Sequence, residues 1–336
     1  MSFSSYLERI EGISPKYFTT LQFDNKKVSK IIREMNKNSV DFEGAEKGGR
    51  GDSYRQSQTN ITVRLTGILQ IIEYITQVKD PHKLPDTFRI LDVLGGDGTL
   101  IRAISSTYKG VKKTPPIILT SDIAGDMIAS ALEYGLPAIR EPASHLFLKN
   151  NSFDGVVIAY GTHHIPRKEL LRSCQEAYRV LKPKGKIVLH DFEEGSTQAK
   201  WFNDVVDKYS LTGHKYPHLT KKQIQTYLEK SGFRDIQIIH MYDPFITSDT
   251  SEEGAYMKLM SYVINMYGLE KLKNNGKITK LSHKRVHGLI KKNIIYDYSS
   301  IDAAQENWKV SVSFYKTGNV FFAEMPRLAI VGIGTK

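Results

Sequence analysis

Arg89 to Ile104 reads RILDVLGGDGTLIRAI. An apolar run ends in a carboxylate, Asp92, and Gly95, Gly96 and Gly98 follow before an amphipathic segment begins. Glycines at such a place let the backbone bend tightly and approach a ligand, while the next helix offers free N–H groups at its N-terminus. A dinucleotide fingerprint beginning at Gly96 would need a third glycine where Ile101 stands. A phosphate-binding P-loop would need a Gly-Lys-Ser/Thr ending, which is absent. Both readings fall, and an ordinary tight turn is the competing explanation of this stretch taken alone.

Asp92 with its glycines resembles motif I of the class I S-adenosylmethionine (SAM)-dependent methyltransferases, in the form common among small-molecule enzymes. Leu94 occupies the first glycine position, a departure that tightens the loop. IILTSDIAGDMIASA resembles the same family's second-strand acid pattern, and SFDGVVIAYGTHH with RVLKPKGKIVLHD resembles its segment around strands four and five. Ordered matches over some 100 residues make this the strongest signal in the chain. The resemblance implies a Rossmann-like, doubly wound α/β fold, with a mostly parallel seven-stranded sheet whose last strand is antiparallel. It also implies SAM as cofactor and S-adenosylhomocysteine (SAH) as product.

The implied cofactor shell is Asp92, Gly95, Gly96, Asp97 and Gly98 from the loop, Asp122 and Ile123 after the second strand, Ala143 and Ser144 after the third, and Tyr160 after the fourth. A single carboxylate can accept from both ribose hydroxyls, which is the role assigned to Asp122; a helix N-cap is its bland alternative. Where the family often has an acid for the adenine amino group stands Pro142, with Glu141 as a neighbouring substitute.

Methyl transfer needs the nucleophile held about 3–3.5 Å from the sulfonium methyl, with water excluded. An oxygen or carbon nucleophile also calls for a base, and histidine suits this near neutrality. His163 and His164 follow strand four and are the candidate catalytic residues, with Asp191 after strand five; a packing role for the His pair is the alternative. His190, His214 and Tyr216 are candidate substrate contacts. YGTHH contains no acid, so metal assistance is disfavoured and no metal is expected.

From Leu269 to Lys292 there are eight lysines and arginines against one acid, Glu270. This basic insertion, with Lys284 and Arg285 as expected substrate contacts, suits a lid over an anionic or carrier-bound acceptor, including a prenyl diphosphate; a solvated charged face is the competing reading. The polar stretch EGAEKGGRGDSYRQSQTN reads as a flexible loop whose Tyr54 and Arg55 could gate the site.

Around these residues three regions and a final strand emerge. Residues 1–85 read as a helical cap or dimerisation region, compatible with a homodimer. Residues 86–245 alternate near-continuous apolar strands with amphipathic helices, the pattern of a parallel sheet covered on both faces. Residues 246–324 form an insertion with one helix, the basic segment and a strand pair across Thr317-Gly318. Residues 325–336 carry the last core strand. No apolar run reaches the roughly 18–20 residues of a membrane span. The single cysteine, Cys174, and the absence of a signal-like N-terminus give a cytoplasmic expectation. The net charge of +11 admits acidic partners, nucleic acid among them. Nucleic-acid methylation is disfavoured because YGTH stands where base amino-methylases carry an Asn/Asp-Pro-Pro-aromatic signature. A methyltransferase-fold protein that uses SAM for cyclisation, or only binds it, is the other rival.

Overall fold

The computed structural model describes residues 1–18, 23, 28–35, 42–44, 49–301 and 303–336. Its ten strands are β1 (Arg89–Val93), β2 (Ile117–Asp122), β3 (Ala138–Arg140), β4 (Phe153–Ile158), β5 (Leu181–Asp191), β6 (Arg234–Tyr242), β7 (Phe245–Asp249), β8 (Ser313–Thr317), β9 (Val320–Met325) and β10 (Leu328–Thr335). Seven of them form one sheet in the order β3-β2-β1-β4-β5-β10-β6. The pairs β1–β2, β1–β4, β2–β3 and β4–β5 are parallel, and β10 runs antiparallel between β5 and β6. The chain reverses direction across the sheet between β1 and β4, and ligands collect at such a switch point.

The apolar runs divide by strict alternation. Ile90, Ile118, Val157 and Val188 enter the core on one face, while Leu91, Leu119, Val156 and Ile187 enter the core on the other. Side chains of successive strand residues point to opposite faces, so a sheet buried on both sides needs uninterrupted apolar sequence. The first face is covered by the helices Leu65–Thr76, Thr99–Thr107 and Glu252–Met266. The second is covered by Gly125–Glu133, Arg167–Val180 and Lys221–Lys230, with Cys174 packed in their midst.

The insertion builds a second, antiparallel sheet in the order β7-β9-β8. The Thr317-Gly318 turn is where the sequence put it, with Gly318 at φ +58°. The first strand of that sheet, β7, follows β6 after only two residues and was not anticipated. The stretch read as a flexible loop contains a helix, Gly51–Ser57, with Asp52 and Arg55 paired across one turn. Residues 45–48 of that stretch lie outside the described residues. No helix among the described residues is long and apolar enough to cross a membrane.

Candidate active site

The glycine turn leaves β1 with Leu94 at φ +65°, in the left-handed region. That conformation costs an L-residue with a Cβ roughly 1–2 kcal/mol. Gly95 has no alternative: a Cβ there would lie 2.6 Å from Asp92 Oδ2. The Asp92 carboxylate is therefore folded against the loop backbone. Asp122 ties the same loop to the end of β2, its Oδ2 accepting from the Gly96 N–H at 2.9 Å and its Oδ1 from the Ala124 N–H at 2.8 Å. Each carboxylate oxygen accepts more than one hydrogen bond, so capacity remains for a ligand's hydroxyls.

The two acids share a buried setting. Burial, reinforced by the Asp122 charge and opposed by Arg64, pushes Asp92 up to about 8. Burial also raises Asp122 to about 6 against the stabilising backbone N–H groups of Ala124 and Gly96. A cavity holding two such acids favours a cationic ligand, whose charge restores both carboxylates.

That cavity has a volume of ≈ 260 Å³ and is lined by Asp92, Leu94, Gly95, Gly96, Asp122, Ile123, Met127, Ala143, Ser144, Tyr160 and His164. Its roof comes from the N-terminal region: Phe42, Tyr54 and Arg64. Tyr54 lies over the glycine turn, 3.5 Å from where a Gly96 Cβ would be. Glu43 latches this roof down, its carboxylate accepting from the Gly125 and Asp126 N–H groups at the start of a helix. A carboxylate is favoured at that positive helix end.

A smaller cavity of ≈ 40 Å³ adjoins the first and shares Phe42, Tyr54, Arg64, Tyr160 and His164 with it; Arg50, His163, Phe192, Phe202, Met266, Tyr267 and Arg327 complete it. Aromatic faces and guanidinium groups make this wall suited to a flat, anionic molecule. Arg64 is 4% exposed, its guanidinium 3.8 Å over the Tyr160 ring, and its Nε is without a hydrogen-bond partner. Tyr160 is held at φ +62° between the cavities, the kind of backbone strain that the surroundings of a ligand site sustain.

The histidines meet at the mouth of β4 and β5. His163 Nδ1 stands 2.8 Å from Asp191 Oδ1, and His218 Nδ1 stands 3.4 Å from the same oxygen. His164 Nε2 meets Arg50 Nη2 at 3.4 Å, with Tyr216 packed against its ring. His214 stacks on Phe202 at 4.3 Å. Burial holds His163 and His164 below the ordinary imidazole range and His214 down to about 2, so these rings are neutral at pH 7. Asp191 is held well down by His163 and His218 despite its burial, which by itself raises it.

Several expected contacts lie elsewhere. Asp97 is fully buried and pairs with Arg102 at 2.8 Å and Thr99 at 2.9 Å, bracing the helix start and leaving the cavity to Thr99. Gly98, at φ +81°, serves as that helix's first flanking residue. His190 packs beneath the site against Tyr160, its ring 4.6 Å away, and burial lowers it to about 3. Arg55 reaches the Asp126 carbonyl and Asp52, outside both cavities. Glu141, the expected substitute for an adenine acid, turns inward to accept from the Phe147 N–H at 2.6 Å and does not line the larger cavity. Lys284 and Arg285 project to solvent from the helix Lys280–Asn293, which buries Ser282, His283, Val286 and Ile290 instead. The segment is a solvated charged face and contributes nothing to either cavity.

Sequence reasoning passed over Arg64 and Arg50. A cation just before an apolar helix, against the usual charge preference of a helix start, was the available signal for Arg64.

The glycine turn, the second-strand aspartate and the reversed last strand together define a class I SAM-dependent methyltransferase domain, and residues 91–189 match the family model described as a methyltransferase domain. Among curated proteins the chain is similar to the ubiquinone/menaquinone biosynthesis C-methyltransferase UbiE of Sinorhizobium fredii, 33% identical over 149 residues that cover 40% of this chain and 55% of that protein. The same enzyme of Rhizobium meliloti is 32% identical over 117 residues, covering 32% of this chain and 43% of that one. The chain thus spans about half the length of these relatives. Of solved structures, phosphoethanolamine N-methyltransferase 2 of Haemonchus contortus with bound SAM aligns over 83% of this chain and 57% of its own, at 16% identity and a TM-score of 0.48.

Proposed function

We propose that the protein transfers the methyl group of SAM to a small, flat acceptor carrying an oxygen anion, as a step of small-molecule biosynthesis. The observation that carries this reading is the pair of adjoining cavities with a shared wall of Tyr54, Arg64, Tyr160 and His164. In it, the larger cavity takes the donor: Asp122 holds the ribose hydroxyls, Ile123 and Met127 pack on the adenine, and Asp92 with the glycine turn meets the amino-acid end. Ala143 and Ser144 line the adenine edge in place of an acid.

The smaller cavity takes the acceptor. Arg50 and Arg64 stabilise its oxyanion, which feeds electrons into the ring or enol system. The nucleophilic carbon or oxygen attacks the sulfonium methyl, the S–CH₃ bond breaks, and SAH leaves neutral at sulfur. For a ring carbon, the C–H bond then breaks, its electron pair returns to the ring and the proton passes to water. Asp191 fixes the ring of His163, and both His163 and His164 stand beside the acceptor. Carbon methylation is favoured by the names of the curated relatives, which are C-methyltransferases. A prenyl diphosphate has less support, because the cations expected to hold it face outward.

Incubation of purified protein with methyl-labelled SAM and a panel of phenols, quinols and enolic acids tests the proposal. Label recovered in an extractable small molecule, with matching SAH, supports it. Label recovered only in RNA or DNA, or SAH released without any labelled acceptor, refutes it.

A further inference from the structure

We infer that His163, His164 and His214 form a binding site for a divalent transition metal of the zinc class, open toward the acceptor cavity. Their candidate ligand atoms all lie within 4.8 Å of one another. A tetrahedral zinc ion with Zn–N bonds of about 2.0–2.1 Å places its ligands roughly 3.4 Å apart, so the three rings need to close by about an ångström. Two of them sit on the single turn Thr162–His164, and the third sits on the segment between Tyr209 and Lys221, which has no helix or strand.

The orphaned atoms around this point give the independent reason. His214 is 2% exposed, and neither of its ring nitrogens has a hydrogen-bond partner. Nearby, His218 Nε2 and Asp191 Oδ2 are buried and unpartnered as well. A buried polar atom left without a partner keeps its desolvation cost uncompensated, and folded proteins keep few of them. A metal at the centre of the three rings would satisfy His214 directly.

The surroundings match a metal site in two further respects. His163 gives Nδ1 to Asp191, which leaves Nε2 as its outward nitrogen; a carboxylate behind a ligating histidine fixes the ring in this way. Phe202, stacked on His214, belongs to a π-helical turn, Phe202–Val206, a local irregularity common at functional sites. Three protein ligands leave a fourth position open, as in catalytic zinc sites, and His163 and His164 both line the acceptor cavity.

Arg50 Nη2 donates to His164 Nε2 at 3.4 Å, a bond that a metal on that nitrogen would displace, and the displaced guanidinium sets the chemistry of the fourth ligand. A guanidinium beside a dication calls for an anion between them. A phenolate or enolate oxygen of the acceptor meets both, and the metal lowers the pKa of that hydroxyl. This part rests on the proposed methyl transfer; metal binding itself does not.

Tag-free, full-length protein is stripped with a chelator, dialysed and titrated with Co²⁺, then separately with Zn²⁺ under equilibrium dialysis. The expected result is one Co²⁺ per chain with intense visible bands of a four-coordinate ion, displaced by Zn²⁺. His163→Gln and His214→Gln each weaken binding by about 100-fold or more, Asp191→Asn by about 10- to 100-fold, and His82→Gln leaves it unchanged. A featureless Co²⁺ titration of the wild type overturns the inference whether or not the variants fold, and means that water fills the space. Binding that survives His214→Gln in a folded variant, judged by circular dichroism, also overturns it. SAH calorimetry on the stripped protein separates the two claims: metal binding without SAH binding refutes the methyl-transfer reading and leaves the metal site standing.

Discussion

At pH 7 the two carboxylates of the donor cavity carry unequal charge, because Asp92 is raised to about 8 and Asp122 to about 6. Asp122 is then mostly ionised and Asp92 mostly protonated. SAM brings a sulfonium and an ammonium into the cavity, and their charge drives Asp92 to ionise. Binding at pH 7 should therefore release nearly one proton, at a cost of about 1.4 kcal/mol for one pH unit below the Asp92 value. The apparent affinity for SAM rises about tenfold per unit between pH 6 and 8 and levels off above 8. Titration calorimetry in buffers of different ionisation enthalpy counts the proton, and Asp92→Asn removes both the proton and the slope. A SAM affinity independent of pH over this range, with no buffer dependence of the heat, would refute the assignment of Asp92 to the cationic end of the donor.

Further outcomes follow from the same geometry. Both raised carboxylates bind protons in the folded state that the unfolded chain has released, so their stabilising contribution is lost as pH rises through about 6 and then about 8. The melting temperature of ligand-free protein should fall over that interval and recover with saturating SAM. Gly95→Ala places a Cβ 2.6 Å from Asp92 Oδ2, and should abolish SAH binding detectable by calorimetry. Arg64→Gln removes a buried charged donor worth about 1.5–3 kcal/mol, raising the acceptor KM about 10- to 100-fold and the SAH Kd by less. Replacing Lys284, Arg285, Lys291 and Lys292 with Gln should leave the acceptor KM unchanged even at low salt, since all four are exposed on the outer helix face.

The sheet was legible because its signals are local. Each central strand is a short apolar run buried on both faces, and the β1 turn, the Asp122 position and the final strand each follow from a few adjacent residues. The cavity beside the glycine turn was legible for the same reason. Charge misled where its direction mattered: Lys284 and Arg285 sit in a basic run, but the buried face of that helix is set by His283, Val286 and Ile290. The smaller cavity was opaque because it is assembled from distant segments. Arg64 and Tyr160 are 96 positions apart and meet ring to guanidinium. His214 joins His163 from a segment with no regular structure, and no spacing within YGTHH discloses that. Glu141 shows a limit of motif alignment: it stands one position from the adenine acid, but the local backbone turns it into the core.

The central claim is that the glycine turn and Asp122 together grip the donor. Calorimetric titration of pure protein with SAH tests it most directly. The account predicts one equivalent per chain for the wild type. Asp122→Ala, losing charged hydrogen bonds of about 1.5–3 kcal/mol each to two hydroxyls, should bind at least 100-fold more weakly while still unfolding cooperatively. No heat with the wild type, or an unchanged SAH affinity in Asp122→Ala, would contradict it.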